Sequence, residues 1–330
     1  ARSLSLRVSW LLPMLSALFS RAPEAPASRM PPPEQALIFA TIGALLAGLF
    51  SLQRRAPYRG TYLAGDWLPR DEATGKRAYE EWVLRYSVVW MGSFGLIIAL
   101  QLYEAFDAAA YFVVCGGLAL PLWVQAFAAA VRAGRVTHAL RAQAWVAVFG
   151  FIGNYWYTHY FYSVLRARYT MPSWRLNDVP IAMYFATHFY FSSYHVFANL
   201  TLRKVRTRYL PGPCRDLLFV GLVLAMSYAV AFMETLTIAH FPYYDFEDRA
   251  MAYTVGSAFY GLYFVVSFPV YFALDEATWT TSLAPGRSLV EVAISSLGAG
   301  MAVLLLLDIV RLGVVGAPLT IGGKLFEVTG

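Results

Sequence analysis

"DLLFVGLVLAMSYAVAFMETLTI" occupies residues 216–238 and sets the fold class. The hydrocarbon core of a bilayer is crossed by about 20 consecutive apolar helical residues, and this run has that length. One carboxylic acid, Glu234, lies well inside it. Comparable runs recur near 84–103, 108–131, 143–165, 180–201, 251–273 and 289–311. They are too long, and alternate too little, to be strands of a membrane barrel. The expected fold is all-α: a polytopic transmembrane helix bundle with seven core helices. A shorter run, Ala36–Leu52, carries Gly43 and Gly48. It is read either as an extra N-terminal span or as an interfacial segment.

Composition agrees with this picture. The chain of 330 residues is 58% hydrophobic and 14% charged, whereas soluble domains are roughly a quarter charged. The net charge of +6 does not indicate nucleic acid, because the basic residues sit in short loops between apolar runs. Alternating those loops across a membrane puts sixteen of the 26 Lys and Arg residues on one side, including "RKVRTR" at 203–208, and six on the other. That asymmetry predicts a cytoplasmic, or equivalent organellar, location for the basic side. Cys115 and Cys214 offer neither a disulfide framework nor a metal site and are read as packing residues.

The expected organisation is a leader or surface arm over 1–35, a marginal apolar segment with a polar linker over 36–74, one membrane domain over 75–312, and a tail over 313–330. The leader alternates Arg2, Arg7, Arg21 and Arg29 with serines and has its first acid at Glu24. That composition resembles an organelle transit segment, and an amphipathic arm on the membrane surface fits it equally. Pro31–Pro33 interrupt any helix there.

Ionisable groups inside membrane helices are costly and mark functional candidates. Here they are His159, His188, His195 and Glu234, with His240, Glu291 and Asp308 nearer helix ends. Tyr184, His188, Phe191, His195 and Asn199 recur at helical spacing and form one stripe. Tyr155, His159 and Tyr162 do the same within "GNYWYTHYFY" (153–162), as do Tyr253, Ser257, Tyr260, Phe264 and Ser267 further on. Ser227 and Glu234 share a face of their own helix. These polar-aromatic faces are expected to turn toward each other.

Plainer roles compete with this. A single His in a bundle commonly serves packing, and Trp174 and Trp279 are read as interfacial anchors. Asp308 and Arg311, three apart, are expected to pair. Glu104 and Glu276 are expected to be solvated at helix ends. His188 and His195 lie about two turns, roughly 10 Å, apart, too far to share one metal ion, so no metal site is expected. No dinucleotide fingerprint, P-loop or nucleophile elbow occurs.

Longer runs carry a resemblance. "GNYWYTHYFYSVL", "YTMPSWRLNDVP", "SYHVFANLTLRKVR", "SYAVAFMETLTI" (227–238) and "FYGLYFVVSFPVYFALDE" (259–276) resemble the plant cycloeucalenol cycloisomerases, the cyclopropylsterol isomerases. The region 241–253 matches in outline, "GKRAYEEW" (75–82) and "LYEAF" (102–106) more loosely, and residues 1–74 fall outside the resemblance.

The resemblance implies a reaction that opens the 9β,19-cyclopropane ring of a 4α-methyl sterol and leaves an 8,9 double bond. It implies no redox step and no cofactor, a sterol or other lipid as ligand, and residence in the endoplasmic reticulum membrane. Ring opening needs an acid, a shielded carbocation and a base. A carboxylic acid in an apolar site can stay protonated near neutrality, ring faces stabilise a cation, and excluding water prevents its capture. Glu234 is the chosen acid, because it is the carboxyl group well inside a span beside a polar neighbour, Ser227. His159, His188 and His195 are candidates for the base or its orientation. Tyr155, Trp156, Tyr184, Asn199, Tyr260 and Phe264 are candidates for binding substrate. A second reading stays open: a non-catalytic relative holding lipid in a multi-subunit organellar membrane complex, plastid or mitochondrial, with its N-terminal extension meeting other membrane subunits.

Overall fold

The computed structural model describes residues 31–55, 66–69, 75–240, 244–276, 287–316, 318–321 and 326–329. The Arg/Ser-rich part of the leader and Trp279 lie outside them, as does the side chain of His240.

Eight helices run back and forth among the described residues. They are α1 (Pro33–Ser51), α2 (Lys76–Ala99), α3 (Ala108–Ala133), α4, α5 (Ile181–Arg208), α6 (Pro213–His240), α7 (Arg249–Phe272) and α8 (Leu289–Val315). Helix α4 is His138–Ile152 continued through a π turn at Gly153–Tyr157 into Thr158–Leu165. The polytopic helix bundle read from the sequence is the fold. Six helices are long and apolar enough to cross a membrane: α1, α2, α3, α6, α7 and α8. The short Ala36–Leu52 run is thus a helix of spanning length, and its Leu46 and Leu49 pack on the cluster around Leu218 and Leu222 of α6.

Helix α5 does not meet that apolarity criterion, although it sits at the centre of the bundle. It packs against α2, α3, α4, α6 and α7. Its Ser, His and Asn side chains are buried among those neighbours: Ser193 joins Ser87 and the Trp90 indole N–H at 2.8 Å each. Hydropathy counts such residues as polar, while a surrounded helix satisfies them internally.

Strands are the difference from the all-helical expectation. Five short ones, β1 (Ala167–Tyr169), β2 (Ser173–Leu176), β3 (Val179–Pro180), β4 (Tyr244–Phe246) and β5 (Phe326–Thr329), make two small antiparallel sheets, β1–β4 and β3–β2–β5. All lie in connections or the tail at one end of the bundle. The β2–β3 hairpin turns at Asn177 and Asp178, which take φ of 52° and 60°, the left-handed conformation that a two-residue hairpin turn requires and Asn and Asp tolerate. Asn177 Nδ2 donates to the Tyr155 carbonyl at 2.8 Å, which ties the hairpin to the π turn of α4.

The opposite end is held by charge. Arg203 pairs with Glu80 at 2.8 Å and Glu276 at 2.7 Å, Lys76 pairs with Glu276 at 3.0 Å, and all four side chains are removed from solvent. Asn199 Nδ2 donates to Glu80 at 2.9 Å. Beside them Asp275 meets both His138 at 2.8 Å and Arg141 at 2.7 Å. Burial pushes the Asp275 carboxyl up, but His138 and Arg141 outweigh it and hold it well below the usual carboxylate range. The expectation of a solvated Glu276 is corrected here. It is 3% exposed, because two cations from α2 and α5 converge on it from beyond the reach of local sequence. Glu291 caps the start of α8 through Ser288. Asp308 and Arg311 pair at 2.6 Å.

Candidate functional site

A cavity opens in the half of the bundle away from that charge cluster. The space open to the centre of a water-sized sphere is about 190 Å³. Helices α2 to α7 and the β1–β4 pair contribute its walls. Most of the lining is aromatic or aliphatic, including Phe94, Phe161, Tyr190, Phe191, Tyr260 and Tyr263. Polar atoms are few: Asn154, Thr158, Thr187, Thr235, Thr237 and tyrosine hydroxyls, with Glu234 as the single carboxyl group among the described lining residues.

Glu234 is partly accessible, and it lines the cavity. The hydroxyls of Tyr194 on α5 and Tyr260 on α7 are polar neighbours of its carboxyl group. Behind them Phe264 packs on Tyr194 and Tyr260, with ring centroids 5.9 and 5.6 Å away. The approach of α6 to α7 that brings Glu234 and Tyr260 together depends on Gly261. A Cβ there would stand 3.3 Å from the Ser227 carbonyl oxygen.

One end of the cavity is closed by the β1–β4 pair. Tyr169 and Tyr244 both line the space, and their rings meet edge to face at 4.6 Å. The π turn at Gly153–Tyr157 supplies Gly153 and Asn154. A π turn inserts an extra residue into the helical ladder and recurs at functional sites.

The predicted residues fall into distinct places. Glu234 and Tyr260 line the cavity, and Phe264 stands behind it. His195 lies in the closed aromatic core: Nδ1 bonds the Phe191 carbonyl at 2.7 Å and Nε2 meets Ser267 Oγ at 2.9 Å. His188 stacks on Trp123 at 5.2 Å, nearly parallel. His159 sits edge-on to Tyr162 at 5.8 Å. None of the three histidines is among the lining residues. Tyr155 stacks on Phe151, and Trp156 is 39% exposed on the outer surface. Tyr184 donates to the Leu176 carbonyl at 3.1 Å and braces the hairpin. Asn199 belongs to the charge cluster. Cys115, read as packing, is a lining residue.

The reason is helix phase. On α5 the cavity takes Met183, Thr187, Tyr190 and Tyr194, a face offset by one residue from the predicted Tyr184–His188–His195 stripe. Phe191 belongs to both. Both sets repeat at helical spacing, so periodicity alone does not choose between them. On α4 the cavity takes Asn154, Thr158 and Phe161, again one residue before the predicted Tyr155–His159–Tyr162 stripe. Among the described residues no group of His, Cys, Asp and Glu converges to hold a metal ion.

Over 248 residues the chain is 39% identical to the protein named cycloeucalenol cycloisomerase from Arabidopsis thaliana, covering 72% of this chain and 86% of that relative. The chain belongs to the cycloeucalenol cycloisomerase family. No family model and no solved structure matches it. The cycloisomerase relationship gives the lone carboxyl group and its aromatic surroundings a chemical context.

Proposed function

We propose that this protein is a cyclopropylsterol isomerase of the endoplasmic reticulum membrane, acting on a 4α-methyl sterol, with Glu234 as the proton donor. The observation that carries the reading is a single carboxyl group, flanked by Tyr194 and Tyr260, facing an aromatic cavity inside a membrane bundle.

In the first step the carboxyl proton passes to the cyclopropane methylene carbon. A ring C–C bond breaks, its electron pair takes up the proton, and a tertiary carbocation remains. Tyr190, Tyr194, Tyr260 and Phe161 present ring faces or edges to this space, and a favourably placed ring face stabilises a cation by about 0.5–2 kcal/mol. Loss of a proton from the adjacent carbon then forms the double bond. The Glu234 carboxylate left by the first step is a base within the cavity, so one group can return to its starting state at each turnover. Tyr194 and Tyr260 position it. The apolar walls keep water from trapping the cation as an alcohol.

The test is turnover of a cycloeucalenol-type sterol by the purified protein in lipid prepared in D2O. The expected product has the substrate's carbon skeleton with the cyclopropane opened, and deuterium enters the new methyl group once the Glu234 carboxyl has exchanged with D2O between turnovers. Absence of ring opening across 4α-methyl cyclopropylsterols would overturn the proposal in favour of a lipid-holding protein without catalysis.

A further inference from the structure

The walls of the cavity are unequal. Of its described lining residues only Ile98 on α2 and Thr237 on α6 are exposed. Both stand near the end of their helix that faces away from the charge cluster: α2 ends at Ala99 and α6 at His240. Helix α5 is the floor between them. Its Tyr190 packs on Trp90 and Phe94 of α2, with centroids 4.5 and 5.7 Å away, while its Tyr194 neighbours Glu234 of α6. Phe197 follows on the same face, since residues three and seven apart share one side of a helix, and it is 38% exposed.

The other described lining residues are buried or half-buried. Tyr169 and Tyr244 of the β1–β4 pair close the near end, and the Arg203 charge cluster fills the far end of the bundle. The exposed rim is apolar. Ile98 presents hydrocarbon, and the Thr237 hydroxyl is spent on the Met233 carbonyl at 2.9 Å.

The geometry points to a lateral portal between α2 and α6, gated by Ile98 and Thr237, through which a flat membrane sterol passes from the leaflet opposite the basic end to Glu234. The inference rests on the sterol reading of the cavity. A sterol already dissolved in the bilayer reaches the acid by this slot without crossing water, so no apolar surface is re-exposed on the way.

The experiment uses the full chain reconstituted in phosphatidylcholine vesicles with a diazirine-bearing sterol, and maps the cross-linked peptides. The expected result is labelling at the segments holding Ile98, Thr237 and Tyr194. Ile98→Trp and Thr237→Trp are expected to slow labelling at Tyr194 at least tenfold, whereas Leu305→Trp, on the exposed face of α8, leaves it unchanged. Equal labelling rates at Tyr194 in all variants would overturn the portal and leave the sterol site standing. Absence of labelling at Tyr194 in the unaltered protein would overturn both.

Discussion

Lys76 Nζ lies 3.0 Å from Glu276 Oε2, and both side chains are withdrawn from solvent. The pair joins the start of α2 to the segment just after α7, and Arg203 completes it from α5. Removing one member strands the others: breaking a buried ion pair costs about 3–5 kcal/mol. Glu276→Gln is therefore expected to lower the thermal midpoint of the detergent-solubilised protein strongly. Arg77→Gln removes an exposed pair with Glu81 and should shift stability by no more than about 1 kcal/mol.

The same cluster predicts a pH dependence. Burial raises the Glu276 carboxyl, but Lys76 and Arg203 outweigh it and bring it down from 4.5 to about 2. A folded-state value below the unfolded one gives stability that is present above the unfolded value and lost as pH falls toward the folded one. Unfolding midpoints should therefore decline between about pH 4.5 and pH 2. A Glu276→Gln variant should show a shallower decline over that window. Parallel curves for the two proteins would remove Glu276 from the explanation.

Glu234→Gln keeps the size and polarity of the side chain but removes its transferable proton. General acid–base catalysis is typically worth about 10²–10⁴-fold, so ring opening should fall by that factor with the unfolding midpoint little changed. Near-normal turnover would exclude Glu234 as the acid.

Helix phase can be tested on α5. Tyr194→Phe removes the hydroxyl that neighbours Glu234 and should lower kcat roughly tenfold or more with little change in KM. His188→Phe keeps a ring stacked on Trp123 and should leave turnover within about threefold. Should the histidine variant be the damaged one, the cavity-facing side of α5 has been misassigned.

Gly261→Val places side-chain atoms against the Ser227 backbone, which cannot rotate away as a side chain can. Overpacking of this kind costs about 1–3 kcal/mol. Both the unfolding midpoint and turnover should drop together, since α6 and α7 carry Glu234 and Tyr260. Unchanged turnover would show that the spacing of the two helices does not set the geometry of the acid.

Much of this protein was legible along the chain. Apolar runs of bilayer length identify the helices, because length and transfer free energy act residue by residue and need no partner. Glu234 stands out for the same reason: a carboxyl group deep in such a run is costly wherever the helix points. Which way each polar face turns depends on how the helices pack. Over this stretch of α5, His188, Tyr190, Tyr194 and His195 all pack against rings of neighbouring helices, so no contrast between lipid and interior marks one side there. Glu276 looks like a solvated helix-end residue until Lys76 and Arg203 arrive from elsewhere in the chain. Three π segments, at 153–157, 252–256 and 311–315, interrupt the helices in a way that no regular period predicts. Spacing along one helix fixes neighbours on that helix, whereas a site is assembled from distances between helices, and those are set by packing.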